Sequence, residues 1–175
     1  GPVSATLLSR SYFPLKHTTR ITLYAESDRI DIDNVIHENF GNNLTTYAFS
    51  FNMENPWIRT EEAGAIVDVR QQSDGGDYAD DICRLDWVAF NHFADIHGDG
   101  DYGVTLSNRD ALFMKTGNSS IVKLDCDTPQ IRVLVGGKVN SWLGVDYQDG
   151  CTEFHNSFSL KSYDGNYDAA GSMRF

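Results

Sequence analysis

Three tryptophans, eight tyrosines and a surplus of acids are the residues of this sequence with chemistry to offer. A flat aromatic ring can cover the apolar C–H face of a pyranose, and carboxylates or amides can bind its paired hydroxyls. Trp57 follows Asn55 and Pro56 in a turn-like segment outside any alternating run, which predicts an exposed indole. Trp142 lies between Asn140 and Gly144, with Asp146 and Tyr147 just beyond, and reads the same way. Tyr78, in a stretch rich in Gly and Asp, and Tyr147 are further candidate platforms, and Asp146 is a candidate for the hydroxyls. Trp87, between Leu85 and Val88, reads as a strand residue of the core, and Tyr102 as an anchor for the turn it follows.

Residues 95–101 bring Asp95, Asp99 and Asp101 together around two glycines. Calcium takes six to eight oxygens, and acids alternating with glycines can curl to supply them, so calcium is the cofactor these residues could hold. The spacing is not that of an EF-hand, and the competing reading is a hairpin whose Asp side chains cap backbone amides. His92, Asp95 and His97 have the residue types of a zinc site. On a strand, however, an offset of three puts His92 and Asp95 on opposite faces. Catalysis by two carboxylates needs them facing each other across a cleft. Asp74, Asp77, Asp80 and Asp81 instead crowd a glycine-containing stretch that reads as solvated surface. No nucleophile elbow, phosphate loop or activated Cys/His pairing is present. The chain on its own is therefore expected not to be an enzyme.

The elements that position these residues are strands. Ile30 and Ile32 alternate with Asp31 and Asp33; Tyr47, Phe49 and Phe51 alternate with Ala48 and Ser50. Residues 21–25, 65–69, 120–124 and 130–135 are further β-branched runs, and Phe154, Phe158 and Leu160 alternate with polar neighbours. Turn clusters at 39–43, 73–77, 97–101, 136–137 and 164–166 separate them. No stretch of a dozen residues shows helical spacing with caps. Many short strands between Gly/Asp turns predict an all-β fold, an antiparallel β-sandwich, with residues 70–86 as one long excursion from the sheet. Residues 3–175 read as a single domain, and Gly1 and Pro2 as the scar of a cleaved tag.

The chain carries 25 acids against 14 bases, a formal net charge of -11. That field repels phosphate, so nucleic acid and anionic membrane are poor partners, whereas neutral sugars are not excluded. No apolar run approaches the about 20 residues of a membrane helix, and no leader is evident. The compartment stays open, with an extracellular one favoured. Cys83, Cys126 and Cys151 allow at most one bridge, and free thiols are the simpler expectation. Asn43 and Asn118 begin sequons that matter only in a secreted eukaryotic protein.

Three stretches together resemble the C-terminal β-domain of glycoside hydrolase family 38 α-mannosidases. Residues 21–32, followed by 47–51, are similar to that domain's strand pair with its R-I-D/E element. Residues 93–108 are similar to the family's W-V-D-L-S and D-Y-G-V-x-L-L-N-D run, and this is the most specific stretch. In residues 154–175, Phe158, Ser159, Leu160, Gly165, Ala169 and Ala170 echo its F-A-L, G and A positions. Phe93 stands where the family has Trp, Ser107, Asn108 and Arg109 replace a Leu-Asn-Asp ending, and the chain stops at Phe175 where family members continue. The family's zinc ligands and nucleophilic aspartate lie in another domain, which nothing here matches. The resemblance implies an accessory β-sandwich. It would be a carbohydrate-binding module, with the catalytic domain of the same polypeptide as partner, or a structural support for that domain with no ligand of its own.

Overall fold

The computed structural model describes residues 3–100, 102–140 and 143–174. Two antiparallel sheets hold nearly all of the regular structure. In chain order the strands are β1 (Ser4–Ser11), β2 (His17–Tyr24), β3 (Ser27–Ile36), β4 (Thr45–Ser50), β5 (Trp57–Glu62), β6 (Ala65–Asp68), β7 (Val88–Ala89), β8 (Phe93–Gly98), β9 (Tyr102–Asn108), β10 (Phe113–Thr116), β11 (Gln130–Gly136) and β12 (Phe154–Asp164). One short helix, α1 (Ala169–Arg174), follows. The large sheet has the order β1-β2-β3-β12-β9-β8-β5-β6, and the small one β4-β11-β10-β7. The all-β, antiparallel sandwich expected from the alternating runs is what forms.

Period-two alternation decides which side chains enter the space between the sheets. On β5, Ile58 and Thr60 point inward; on β8, Ala94 and Ile96; on β9, Val104 and Leu106. The small sheet answers with Met114, Ile131 and Val133, and with Tyr47 and Phe49 packed edge-on against Phe158 of β12. Burying each such side chain stabilises the fold by roughly 1.5–3 kcal/mol.

Eight strands face four, so the large sheet overhangs. The core draws on β5, β8, β9 and β12, with Ile32 of β3 at its margin, and includes no residue of β1 or β2. Their inward face is apolar all the same. Leu7 pairs with Ile21 and Ile21 with Ile32, and Leu23 pairs with Ile30. Leu7 is 64% exposed and Leu23 49%.

Two local expectations change. Residues 120–124 are not a strand. The Asp125 carboxylate accepts hydrogen bonds from the backbone N–H groups of Asn118, Asp127 and Thr128 and from the Thr128 hydroxyl, winding the segment into a loop. Trp87 precedes β7 and is only half-buried, because Leu85, Val88 and Phe90 take the inward positions. The excursion over residues 70–86 carries no strand. The three cysteines are free thiols.

Candidate functional site

The outward face of the large sheet carries an ordered set of polar groups. Strand register lines up Arg29 of β3, Lys161 of β12, Thr105 of β9, Asp95 of β8, Arg59 of β5 and Asp68 of β6 as direct cross-strand neighbours. In a parallel line lie Thr22, Asp31, Ser159 and Ser107. A solvated sheet face needs only polar side chains. This one also buries carboxylates, which proteins seldom do without partners.

Asp95 is the clearest case, at 0% exposure. Tyr163 Oη donates to its Oδ1 at 2.7 Å and Thr105 Oγ1 to its Oδ2 at 3.0 Å. Tyr163 reaches it because Gly103, between them on β9, has no side chain; a Cβ there would overlap the phenol ring. The chain after β12 then covers the site. Ser172 Oγ lies 3.1 Å from Thr105 Oγ1, and the Arg59 guanidinium sits 4.7 Å from the centre of the Tyr167 ring. Burial pushes the Asp95 carboxyl up to about 6, although Tyr163, Thr105 and Arg59 pull the other way. His97 is driven the opposite way, below its ordinary range, by burial and by Arg59. Its neutral ring therefore accepts at Nδ1 from Arg59 Nη1 at 3.2 Å. With both oxygens engaged and no exposure, Asp95 fixes its neighbours and does not meet a ligand.

Asp31 does the same work at the other side of the face. It accepts from Tyr24 Oη at 2.6 Å, from Arg29 Nε at 2.5 Å and from Ser159 Oγ at 2.5 Å. Burial alone would raise its carboxyl, but the bonds from Arg29, Ser159 and Tyr24 outweigh that and hold it below the usual range. Three clefts adjoin here. The largest, about 520 Å3, is bounded by Val3, Tyr24, Glu26, Arg29 and Asp31. The next, about 270 Å3, includes Asp31, Asp33, Ser107, Ser157 and Ser159. The third, about 240 Å3, includes Thr105, Lys161, Asp164, Asn166, Asp168 and Ser172.

The residues singled out from the sequence do not converge on one place. Trp57 is not in a turn: it opens β5, half-buried, on the outward face beside His97. Its Nε1 donates to Asp68 Oδ1 at 2.7 Å, and Arg70 lies 4.5 Å from its ring centre, so one indole face is already covered. Asp68 also receives Arg59 Nε at 2.8 Å, which ties Trp57 to the polar row. Tyr78 packs against the core, and its hydroxyl donates to Glu62 at 2.6 Å, so it is no open platform. Tyr147 is 64% exposed on a loop pinned to residues 39–42. There Asn42 Oδ1 accepts from Tyr147 N, and Asn39 Nδ2 donates to the carbonyls of Tyr147 and Cys151. Asp146 pairs with Lys138 on the same loop, at 2.8 Å. Trp142 lies outside the described residues, as does Asp101.

Asp95 and Asp99 do not share a loop as the spacing suggested. Asp95 lies within β8, because residues 94–97 pair on both sides. Asp99 sits at the hairpin tip, where Asn55 Nδ2 donates to it. Among the described residues no three His, Cys, Asp or Glu side chains group to hold a metal ion. The sequence singles out Asp95 as a metal candidate and not as the buried partner of Tyr163 and Thr105, and it does not single out Asp31 as a site residue. The alternation Ile30-Asp31-Ile32-Asp33 was visible, but an outward Asp gives no sign that it will be buried.

No family model matches the sequence, and no curated protein matches it. Solved structures do. The chain superposes on an α-mannosidase from Enterococcus faecalis with a TM-score of 0.67 at 16% identity, over 99% of this chain and 23% of that one. A second Enterococcus faecalis protein, in glycosyl hydrolase family 38, matches at a TM-score of 0.63 and 15% identity, over 91% of this chain and 18% of that one. The chain thus spans less than a quarter of the length of these two neighbours. At this identity the likeness is one of fold, and the resemblance stated from residues 21–32, 93–108 and 154–175 holds at that level.

Proposed function

We propose that the chain is a non-catalytic, carbohydrate-binding β-sandwich, the accessory domain of a longer protein of the glycoside hydrolase kind. Sugar hydroxyls would be held on the outward face of the large sheet. The observation that carries this reading is the half-buried carboxylate of Asp31, which holds Tyr24, Arg29 and Ser159 in fixed orientations on the open part of the face, beside the fully buried Asp95 that fixes Tyr163 and Thr105 at its closed end. Pre-oriented donors and acceptors spare a ligand the entropy of ordering them. Tyr24 and Trp57 flank the row as aromatic faces, and Tyr147 and Asp146 are further candidates on the loop beyond β11. Calorimetric titration with mannans, xylans, glucans and pectins, with and without a chelator, tests the reading. Heat of binding that Asp31→Asn weakens supports it. Silence across the panel removes it, and chelator sensitivity would assign calcium to the segment around Asp99 and Asp101.

A second reading has its own observation. The uncovered apolar overhang of Leu7, Ile21 and Leu23 suits a domain that rests against another part of a longer polypeptide. On this reading the chain supports a catalytic domain and binds no ligand of its own. Substituting Leu7 and Leu23 would then weaken assembly of the longer polypeptide and leave glycan binding untouched.

A further inference from the structure

The outward face is open over only part of its width. The cleft beside Tyr24 and the one beside Ser157 share Arg29 and Asp31. The third lies two residues along the same strands from the second, at Lys161 beyond Ser159 on β12 and at Thr105 beyond Ser107 on β9, and the row Arg29, Lys161 and Thr105 joins it across the strands to the first. Beyond Thr105 the face is closed. Ser172 meets Thr105, Tyr163 meets Asp95, and Tyr167 lies against Arg59. The clefts therefore form one trough crossing β2, β3, β12 and β9 and ending at a wall of residues 163–172. Three inter-strand spacings of about 4.8 Å make it about 14 Å long. Contacts are denser in this direction than along a strand, where only every second residue faces outward.

We infer that this trough takes the end of a neutral glycan, two or three linked rings laid across the strands with the terminal ring against the wall. The inference rests on the carbohydrate-binding reading and deepens it. Asp31, Asp33, Asp164 and Asp168 line the trough, and with a net charge of -11 they disfavour an acidic glycan. Ser107 offers a hydroxyl along its floor, and Ser157 and Ser159, whose hydroxyls donate to Asp33 and Asp31, keep their oxygens as acceptors. The cations differ in what they have left to give. Arg29 is held by Asp31, and Arg59 by Asp68. The Lys161 ammonium, half-buried near the wall, has no hydrogen bond or ion pair among the described residues. It is the donor available to the terminal ring.

The test is calorimetry with linear neutral manno-, xylo- and cello-oligosaccharides, from monosaccharide to hexasaccharide. Affinity is expected to rise roughly tenfold or more up to the trisaccharide and then stay level. Lys161→Met is expected to lower trisaccharide affinity by about tenfold with the thermal transition unchanged. A rise that continues to the hexasaccharide would mean an open groove and overturn the wall. Equal affinity for all lengths would mean a one-ring pocket and overturn the trough. Full affinity in the Lys161→Met protein would overturn the placement of the terminal ring. No binding of any oligosaccharide would instead remove the carbohydrate reading itself, and this inference with it.

Discussion

The phenol of Tyr163 lies across the empty side-chain position of Gly103, and its hydroxyl donates to Asp95 on the next strand at 2.7 Å. The two residues are direct cross-strand partners, so the missing Cβ on β9 lets a β12 side chain reach β8. A buried carboxylate, a fixed phenol and the covering chain after β12 all depend on that gap.

Gly103→Ala is therefore expected to destabilise the protein by about 1–3 kcal/mol, since the added methyl meets a packed ring. Tyr163→Phe is expected to cost about 1–3 kcal/mol by leaving an Asp95 oxygen short of a donor. Because both act on one contact, the double variant should lose less than the sum. Urea denaturation of the four proteins measures this, and strict additivity would mean that Gly103 acts elsewhere.

Asp95 also predicts a pH dependence with an unusual sign. Its folded carboxyl, pushed up to about 6, lies above its ordinary value of 3.8, so the folded state binds the proton more tightly than the unfolded one. Its contribution is fully present below about pH 4 and is lost as pH rises through about 6. Relative to Asp95→Asn, the natural protein should gain up to about 3 kcal/mol between neutral pH and about pH 4. Asp31, held low, works in the opposite sense, so the difference between the two proteins is the quantity to follow. A flat difference curve would show that Asp95 does not titrate in this range.

Arg70 shields Trp57. Its guanidinium lies 4.5 Å from the ring centre and donates from Nη2 to the Pro56 carbonyl at 2.9 Å. Arg70→Ala should cost about 1 kcal/mol, shift the emission of Trp57 to the red and raise its quenching by acrylamide, with Trp57→Phe as reference. Unchanged quenching would mean that the indole face is covered by something other than Arg70.

Leu7 and Leu23 test the overhang. Both are more than two-fifths exposed and lie outside the core. Replacing both by Ser should change the stability of this chain by no more than about 0.5 kcal/mol each. The same change should reduce binding of a hydrophobic dye. A larger loss of stability would show that β1 and β2 are packed more closely than their exposure implies.

Period-two alternation determined most of this fold directly from the sequence. Ile30 and Ile32, Tyr47, Phe49 and Phe51, and Phe158 and Leu160 declare an apolar face, and a strand has only two faces to choose between. Glycine and aspartate clusters declared the turns. The resemblance of residues 93–108 to a family 38 β-domain was read from strand and turn residues, and it holds as a likeness of fold. β5 escaped because Asn55 and Pro56 suggested a turn that reached Trp57, although the pairing of Ile58 with Thr60 against Arg59 with Glu61 was there to be read.

Only the tertiary structure decided where the outward residues meet. Asp31 and Asp95 lie far apart in sequence from Ser159 and Tyr163, and the crossing of β12 between β3 and β9 is what brings them together. Local sequence can say that an aspartate faces away from the core. Whether that aspartate stays in water, or is buried beneath a returning chain and held by its hydroxyls, depends on long-range strand order, and the energetics that select that order belong to the whole sandwich.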